Sequence, residues 1–526
     1  MQKLLTATAA LALTAGTAAA DGHAAYTLHI LHYNDTHSRI EPINRFDSTC
    51  SAEDDAAGEC FGGSARLKAA IDMKREELAG ENVIVLDAGD QLQGSLMFTT
   101  YNGDAEAEMV NAIAPDVMAV GNHEFNKGDE NLARVIDLLE MPVVSGNLDL
   151  TGNNVLGGKI EDTLVLEVGG ERIGIVSALA TDTAETSSPS DQVVFMDEAE
   201  SLAQDVATLT DDGVNKIIAL THVGFPADQR IAGAGIDGLD VIVGGHSHTV
   251  FSNTEEGAEA YPTMEGDVPI VQAGAYTKYL GHLTVSFDAD GNVIDATGDT
   301  MLLDASVEPD AELAARVAEL AAPIQEMQQE VVGQSAGFIE GDRSVCRVME
   351  CPMGNLVADA MLDRVKDQGV TIAIQNGGGL RASIDEGDIT MGEIVTVLPF
   401  QNTLATFELT GAEVIEALEN GVSEVEEGAG RFPQVSGITY KADLTAEPGS
   451  RITSVMIDGA EIDPEATYGV VSNNYMRGGG DGYSVFEGAR NAYDYGPGLE
   501  QVVIDYIAAQ GGAYAPYTDG RIDVGG

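Results

Sequence analysis

Short apolar runs recur through the first half of the chain, and each ends in a polar or glycine-rich loop. Residues 28–33, 83–86, 117–120, 217–220 and 241–243 are dense in Val, Ile and Leu and too short for helices, which predicts strands. Helically spaced stretches such as residues 65–78 lie between them, so strand and helix patterns alternate as in an α/β fold. Asp288 to Asn292, Asp-Ala-Asp-Gly-Asn, predicts a hairpin turn. Further on, Glu308-Pro309-Asp310 opens a segment with apolar residues at Leu313, Val317, Leu320, Ile324, Met327 and Val331, stepping by four and three. That spacing predicts one buried helix face, with Pro309 in the first turn and a kink at Pro323. Residues 371–374 and 468–471 then read as strands of a second unit with its own glycine-rich loops. The chain is expected to divide into residues 1–20, 21–310, a linker helix at 311–330, and 331–526.

The first residues bear on where the protein works. Lys3, an apolar stretch over residues 4–13 and Ala18-Ala19-Ala20 before Asp21 have the layout of a cleaved secretory signal, which predicts a periplasmic or secreted protein lacking residues 1–20. No later run approaches the ~18 apolar residues of a membrane span, and residues 521–526 are polar, so no membrane anchor is expected. Four cysteines fit an exported chain; of the three connectivities, Cys50 with Cys60 and Cys346 with Cys351 closes the shortest loops. A net charge of −60, from 86 acidic and 26 basic residues, argues against polymeric nucleic acid or anionic membrane as a partner. It does not exclude a small anionic substrate, because bound cations would dominate the field of a local site.

Metal-ligand residue types follow the predicted strands. They are Asp35-Thr36-His37, Gly89-Asp90, Gly121-Asn122-His123-Glu124, Thr221-His222 and Gly245-His246-Ser247-His248, each just past a strand's C-terminal end, where α/β sheets build their sites. Two adjacent divalent ions need one shared group, and a carboxylate with two oxygens is the natural bridge. Asp90 is the expected bridge. Asp35, His37 and His248 would serve one ion and Asn122, His222 and His246 the other. No cysteine belongs to the set, which excludes iron–sulfur and soft-metal chemistry; the donors suit zinc foremost, with manganese, cobalt or iron as alternatives. His29, His32 and His282 lack such flanking residues and are expected to be packing or surface groups, and His23 to lie free near the mature N-terminus.

Asn34-Asp35-Thr36-His37, Gly121-Asn122-His123-Glu124-Phe125 and Gly244-Gly245-His246-Ser247-His248 resemble motifs of the calcineurin-like metallophosphoesterase superfamily. Asn376-Gly-Gly-Gly-Leu-Arg381, Leu398-Pro-Phe400 and Gly478-Gly-Gly-Asp481-Gly-Tyr483 are similar to those of 5′-nucleotidases. Cys346-Arg347 and Met353-Gly-Asn355 resemble the ecto-enzyme branch that hydrolyses AMP, of the UDP-sugar hydrolase type. The resemblance implies an N-terminal four-layer α/β/β/α sandwich, joined by a linker helix to a C-terminal α/β domain that binds the nucleotide. It implies an exported, metal-dependent 5′-nucleotidase that cleaves AMP-like substrates, with ADP, ATP or UDP-sugars as further candidates, to nucleoside and phosphate through metal-activated water.

By the same resemblance, Arg347 and Arg381 would hold phosphate oxygens, Phe400 and Tyr475 sandwich the base, Asp481 accept the ribose hydroxyls and Asn376 contact the base. His123 would donate to a phosphoryl oxygen, and a domain rotation about the linker helix would carry the nucleotide to the metals. One position departs from the family's usual Gly-Asn-His-Glu-Phe-Asp. Here the last residue is Asn126, which orients the imidazole without a charge, so a lower His123 pKa and a more acid optimum or a reduced rate are expected. The alternatives are a 2′,3′-cyclic-nucleotide phosphodiesterase with 3′-nucleotidase activity, a nucleotide-sugar hydrolase, and a non-catalytic nucleotide-binding protein.

Overall fold

Alternation within single strands sets the layering of the first half. In the strand Tyr26–Tyr33, Leu28 and Ile30 enter one core while Leu31 and Tyr33 enter another, as the two-residue period of a strand requires. This computed structural model describes residues 24–525 apart from 45–48, 182, 401 and 494–495. The expected signal segment and His23 lie outside the described residues.

The first core joins two six-stranded sheets. One runs, in spatial order, Val293–Leu302, Tyr279–Phe287, Tyr26–Tyr33, Val83–Asp87, Val117–Ala119 and Val143–Val144; the other runs Thr263–Glu265, Val268–Val271, Val241–Val243, Ile217–His222, Glu171–Leu179 and Thr163–Val168. Leu28, Ile30, Ile84 and Leu86 from the first meet Ile175, Ile218, Leu220 and Val243 from the second at no more than 1 % exposure, and each such side chain contributes roughly 1.5–3 kcal/mol by burial. The helix Ser64–Glu77 covers the first sheet through Leu67, Ala70 and Ile71, while Glu198–Asp211 and Phe225–Gly233 pack on the second through Leu202, Val206 and Ile231. The central strands pair in parallel, so within each sheet their C-terminal ends gather at one edge. At the predicted turn, Asp288 Oδ1 accepts the N–H groups of Asp290 and Asn292, both at 2.9 Å.

The helix Ala311–Met327 seats Leu313, Val317, Leu320 and Ile324 against Ile40, Met97 and Met109. Its first turn differs from the expectation: Asp310 is the N-cap, its carboxylate accepting the Leu313 N–H at 2.8 Å, so Pro309 precedes the cap. An aspartate side chain satisfies an open N–H of the first turn, which proline cannot do. The helix continues through Pro323. Its apolar face stops at Met327, because Val331 begins the strand Val331–Ser335, paired with Gly387–Thr390.

Beyond it, a five-stranded sheet runs Pro433–Ser436, Val370–Asn376, Thr467–Asn473, Leu404–Thr410 and Arg490–Tyr493. The helices Pro352–Val365 and Leu499–Ala509 share one core with it, and Gly411–Gly421 shares the other. Cys50 pairs with Cys60 and Cys346 with Cys351, at Cα separations of 5.8 and 5.2 Å.

Candidate active site

The loops leaving the parallel strands adopt a backbone that most side chains avoid. Asp35, His37, Asp90, His246 and His248 have φ of 50°, 46°, 59°, 79° and 53°, a left-handed region that costs on the order of 1 kcal/mol per residue. Mutual hydrogen bonds hold them there. Asp35 N–H donates to the Gly89 carbonyl (2.9 Å), His37 N–H to the Asp90 carbonyl (3.0 Å), and His246 N–H to Asp35 Oδ2 (2.9 Å). Glu124 closes the set: its carboxylate accepts from Gly121 (2.7 Å), Asp90 (2.9 Å), Gln91 (2.8 Å) and Leu92 (3.2 Å). Gly121 must be glycine, since a Cβ there would lie 2.2 Å from Asp90 Oδ1.

So constrained, the donor atoms converge in three overlapping groups: Asp35 with His37 and His248; Asp90 with His222 and His246; and His37, Asp90 and His123. Within each group the atoms lie no more than 4.8 Å apart. Asp90 Oδ2 stands between the first two groups, 3.7 Å from His37 Nε2 and 3.1 Å from His222 Nε2. His246 Nδ1 is 2.8 Å from Asn122 Oδ1, which brings the asparagine to the second group.

His222 shows that the set fits cations. Its Nδ1 donates to the Ala88 carbonyl at 2.7 Å, so in the neutral ring Nε2 carries a lone pair; that atom is buried without a hydrogen bond and faces the Asp90 carboxylate. Two lone pairs directed into one buried space need a positive charge between them, and a hydrogen bond from the distal nitrogen to a carbonyl is the usual way a ligating imidazole is oriented. The electrostatics agree in direction. Burial opposes charge on Asp35 and Asp90, yet His248 and His222 around Asp35, and His222 and His123 around Asp90, hold both carboxyls below their usual range. Burial would lower His222 too, but Asp90 and Asp35 raise it to about 10.

His123 lies at the edge of this cluster, its ring 5.0 Å from that of His37, and its backbone N–H donates to Asp90 Oδ1 at 2.8 Å. Its Nδ1 is 3.0 Å from Asn126 Oδ1, which also accepts from Ser187 Oγ at 2.9 Å. Burial lowers the His123 pKa to about 3, against the opposing pull of Asp90 and with the help of His37, His222 and His246.

The second wall of the site comes from the C-terminal half. A cleft of about 870 Å³ is lined by His37, Asp90, Asn122, His123, His246 and His248 on one side and by Arg347, Asn376, Arg381, Phe400, Tyr475 and Asp481 on the other. Arg347 and Arg381 donate to the carbonyls of Gly428 and Gly378, both at 3.2 Å, and the Arg381 guanidinium lies 5.3 Å from the centre of the Phe400 ring. Burial and the cations of Arg343 and Arg347 lower Arg381 to about 10, so positive charge is concentrated here within an acidic protein. Asn376 lines the cleft with its amide donating to Asp481 Oδ2 at 2.7 Å.

Glu124, Ser187, Arg39 and Tyr276 join the site without a role expected from the sequence. Glu124 stands inside a quoted motif, so its position was a signal. Arg39 and Tyr276 line the cleft, with the guanidinium 4.8 Å from the ring centre, and nothing in the local pattern of Tyr276 marks it. Of the histidines expected to be packing groups, His32 is buried against the Tyr261 hydroxyl at 2.7 Å, and His29 lies 3.1 Å from His282, outside the cleft.

Residues 28–250 match the calcineurin-like phosphoesterase family and residues 331–488 the 5′-nucleotidase C-terminal domain. The snake venom 5′-nucleotidase of Gloydius brevicauda is 36 % identical over 550 residues, covering 98 % of this chain and 90 % of the venom protein. The crystal structure of a 5′-nucleotidase precursor from Thermus thermophilus aligns with a TM-score of 0.63 at 38 % identity, covering 95 % of this chain and 99 % of that one. The NAD nucleotidase of Haemophilus influenzae aligns with a TM-score of 0.71 at 26 % identity and the same coverage.

Proposed function

The chain belongs to the 5′-nucleotidase family, a calcineurin-like phosphoesterase domain followed by a 5′-nucleotidase C-terminal domain, and on that premise we propose that it is an exported enzyme releasing phosphate and nucleoside from nucleoside 5′-monophosphates. It is a metal-dependent phosphoric monoester hydrolase. The observation that carries the narrower reading is a single cleft with a carboxylate–imidazole cluster on one wall and an arginine, aromatic and aspartate set on the other.

Asp35, His37, Asp90, Asn122, His222, His246 and His248 would hold two divalent ions, zinc suiting these donors best, which when bound supply an acidified water and offset phosphoryl charge. Arg347 and Arg381 hold the phosphate oxygens through paired N–H donors and keep phosphorus in line for attack. Phe400 and Tyr475 enclose the base, and Asp481 accepts the sugar hydroxyls. His123 donates from Nε2 to a phosphoryl oxygen as charge builds there. Asn126 serves this ring in either state: its oxygen accepts Nδ1–H of an imidazolium, and its amide, turned over, donates to Nδ1 of a neutral ring. Export is supported by the leader-like first residues and by a relative found in venom; among the described residues, no helix is long and apolar enough to cross a membrane.

Phosphate release from AMP, 3′-AMP, 2′,3′-cyclic AMP, ATP and UDP-glucose, with and without a chelator, tests the reading. Chelator-sensitive release that is fastest from AMP is expected. Faster cleavage of the cyclic or 3′-substrate would move the assignment to the cyclic phosphodiesterase alternative, and no release with two ions bound would leave only nucleotide binding.

A further inference from the structure

The carboxylate of Asp481 is held in place by protein groups before any sugar arrives. Asp481 has φ of 54° in the loop of residues 478–483. The Tyr475 hydroxyl accepts the Asp481 N–H at 3.2 Å and donates its own hydrogen to Asp481 Oδ1 at 3.0 Å, clipping both ends of one strained residue. On the other oxygen, Asn376 Nδ2 donates to Oδ2 at 2.7 Å. Asn376 is itself fixed, its Oδ1 accepting from the amides of Gln375 and Asn473, both at 3.0 Å. Gly480 allows the loop to close over the tyrosine, since a Cβ there would lie 2.6 Å from two ring carbons.

A count of lone pairs gives this geometry a chemical meaning. A carboxylate offers about four acceptor sites, two per oxygen. Tyr475 occupies one on Oδ1 and Asn376 one on Oδ2, which leaves one on each oxygen for a ligand in the cleft. Two neighbouring acceptors on a rigid group match two neighbouring O–H donors, the pattern of a vicinal diol. The tyrosine ring is 49 % exposed, so its hydroxyl could have been solvated by water at little cost; here it is bound to Asp481.

We infer that the Tyr475 hydroxyl, as distinct from its ring, is a positioning group that sets Asp481 to read a vicinal diol, so that the enzyme prefers ribonucleotides with free 2′- and 3′-hydroxyls over their deoxy counterparts. The inference rests on the reading of Asp481 as the sugar contact. With the nucleoside bound over Asp481, a substrate lacking one hydroxyl leaves an acceptor both shielded from water and unpaired, and sites built in this way discriminate strongly.

The test compares the full chain with its Tyr475→Phe and Asp481→Asn variants. Dissociation constants for adenosine, 2′-deoxyadenosine and 3′-deoxyadenosine are measured by calorimetry, and kcat and KM for AMP and 2′-deoxy-AMP alongside. The wild type is expected to prefer adenosine to either deoxynucleoside by about tenfold or more. Tyr475→Phe, which keeps the ring, is expected to shrink that preference to about twofold, with the loss for AMP carried by KM and not kcat. Asp481→Asn should abolish it. A wild type that does not discriminate overturns the inference whatever the variants do. If Tyr475→Phe keeps the full preference while Asp481→Asn abolishes it, the hydroxyl is idle and the sugar reading of Asp481 stands. If Asp481→Asn keeps the preference, the sugar reading fails and the inference fails with it.

Discussion

Asp35 and Asp90, on one wall of the cleft, sit at positive φ on loops stitched by backbone hydrogen bonds, and His222 beside them ends the strand Ile217–His222; all three are 0–1 % exposed, whereas across from them Tyr475 is 49 % exposed. The first wall uses backbone strain to fix lone pairs in a dry space, where a charged group is most effective. The second is more open, with Tyr475 exposed and Arg347, Arg381 and Phe400 half-buried, as suits a ligand that must enter and leave at each turnover. On the proposed function, substitutions on the carboxylate–imidazole wall should therefore act on kcat and those on the arginine–aromatic wall on KM.

The largest expected effect is that of Asp90→Asn, which removes the shared charge between the two ligand groups. A fall in kcat of about 1000-fold or more is expected, together with lost metal by elemental analysis; retention of a tenth of the activity would break the comparison. Glu124→Gln comes next. The amide turns an N–H donor towards backbone N–H groups that need an acceptor, so kcat and metal affinity should fall together by about 10–100-fold while KM for AMP stays. Phe400→Ala should show the opposite split, raising KM about tenfold with kcat kept within about threefold; a loss confined to kcat would place the ring on the wrong wall.

Asn126→Asp probes the border between the walls. A carboxylate beside Nδ1 favours the imidazolium, so kcat should rise about threefold and the optimum move to higher pH; superimposable pH–rate profiles would remove Asn126 from the chemistry. The smallest effect separates stability from function. Burial, and then Asp162, raise the Asp205 pKa to about 7, and its Oδ2 is buried without a hydrogen bond. The folded state thus holds this proton more tightly than the unfolded chain. That contribution is full below about pH 4, the ordinary aspartate value, and is lost as pH rises through about 7. Asp205→Asn should raise Tm by a few degrees at pH 8 and not at pH 4, partial solvation keeping the gain small, with kcat unchanged.

The ligand candidates were legible because each lies at or just past the end of a strand whose apolar run is visible locally, with His222 still within its strand, and because carboxylates and imidazoles keep their chemistry in any context. The linker helix was legible for the same reason, through Leu313, Val317, Leu320 and Ile324, and departs from expectation at its two ends, where Asp310 and not Pro309 sets the first turn and Val331 lies outside it. Val331 continues the helical spacing but pairs with Gly387–Thr390, a partner that spacing within one element cannot reveal. Asn376 marks the same limit at the site. An amide can donate to a base or to a carboxylate equally well, and its bond to Asp481 depends on a loop more than a hundred residues away.

By itself, the sequence determined which residues could ligate, stack or pair with phosphate, and which stretches would form the strands and helices carrying them. These follow from side-chain chemistry and from periods of two and 3.6 residues, both local properties. The tertiary structure decided the rest: left-handed φ at Asp35, His37, Asp90, His246 and His248, the four N–H groups gathered by Glu124, and the Tyr475–Asp481–Asn376 network. These are sustained by contacts among segments far apart in the chain. A strained backbone or a fixed amide persists only where the surrounding fold over-determines it.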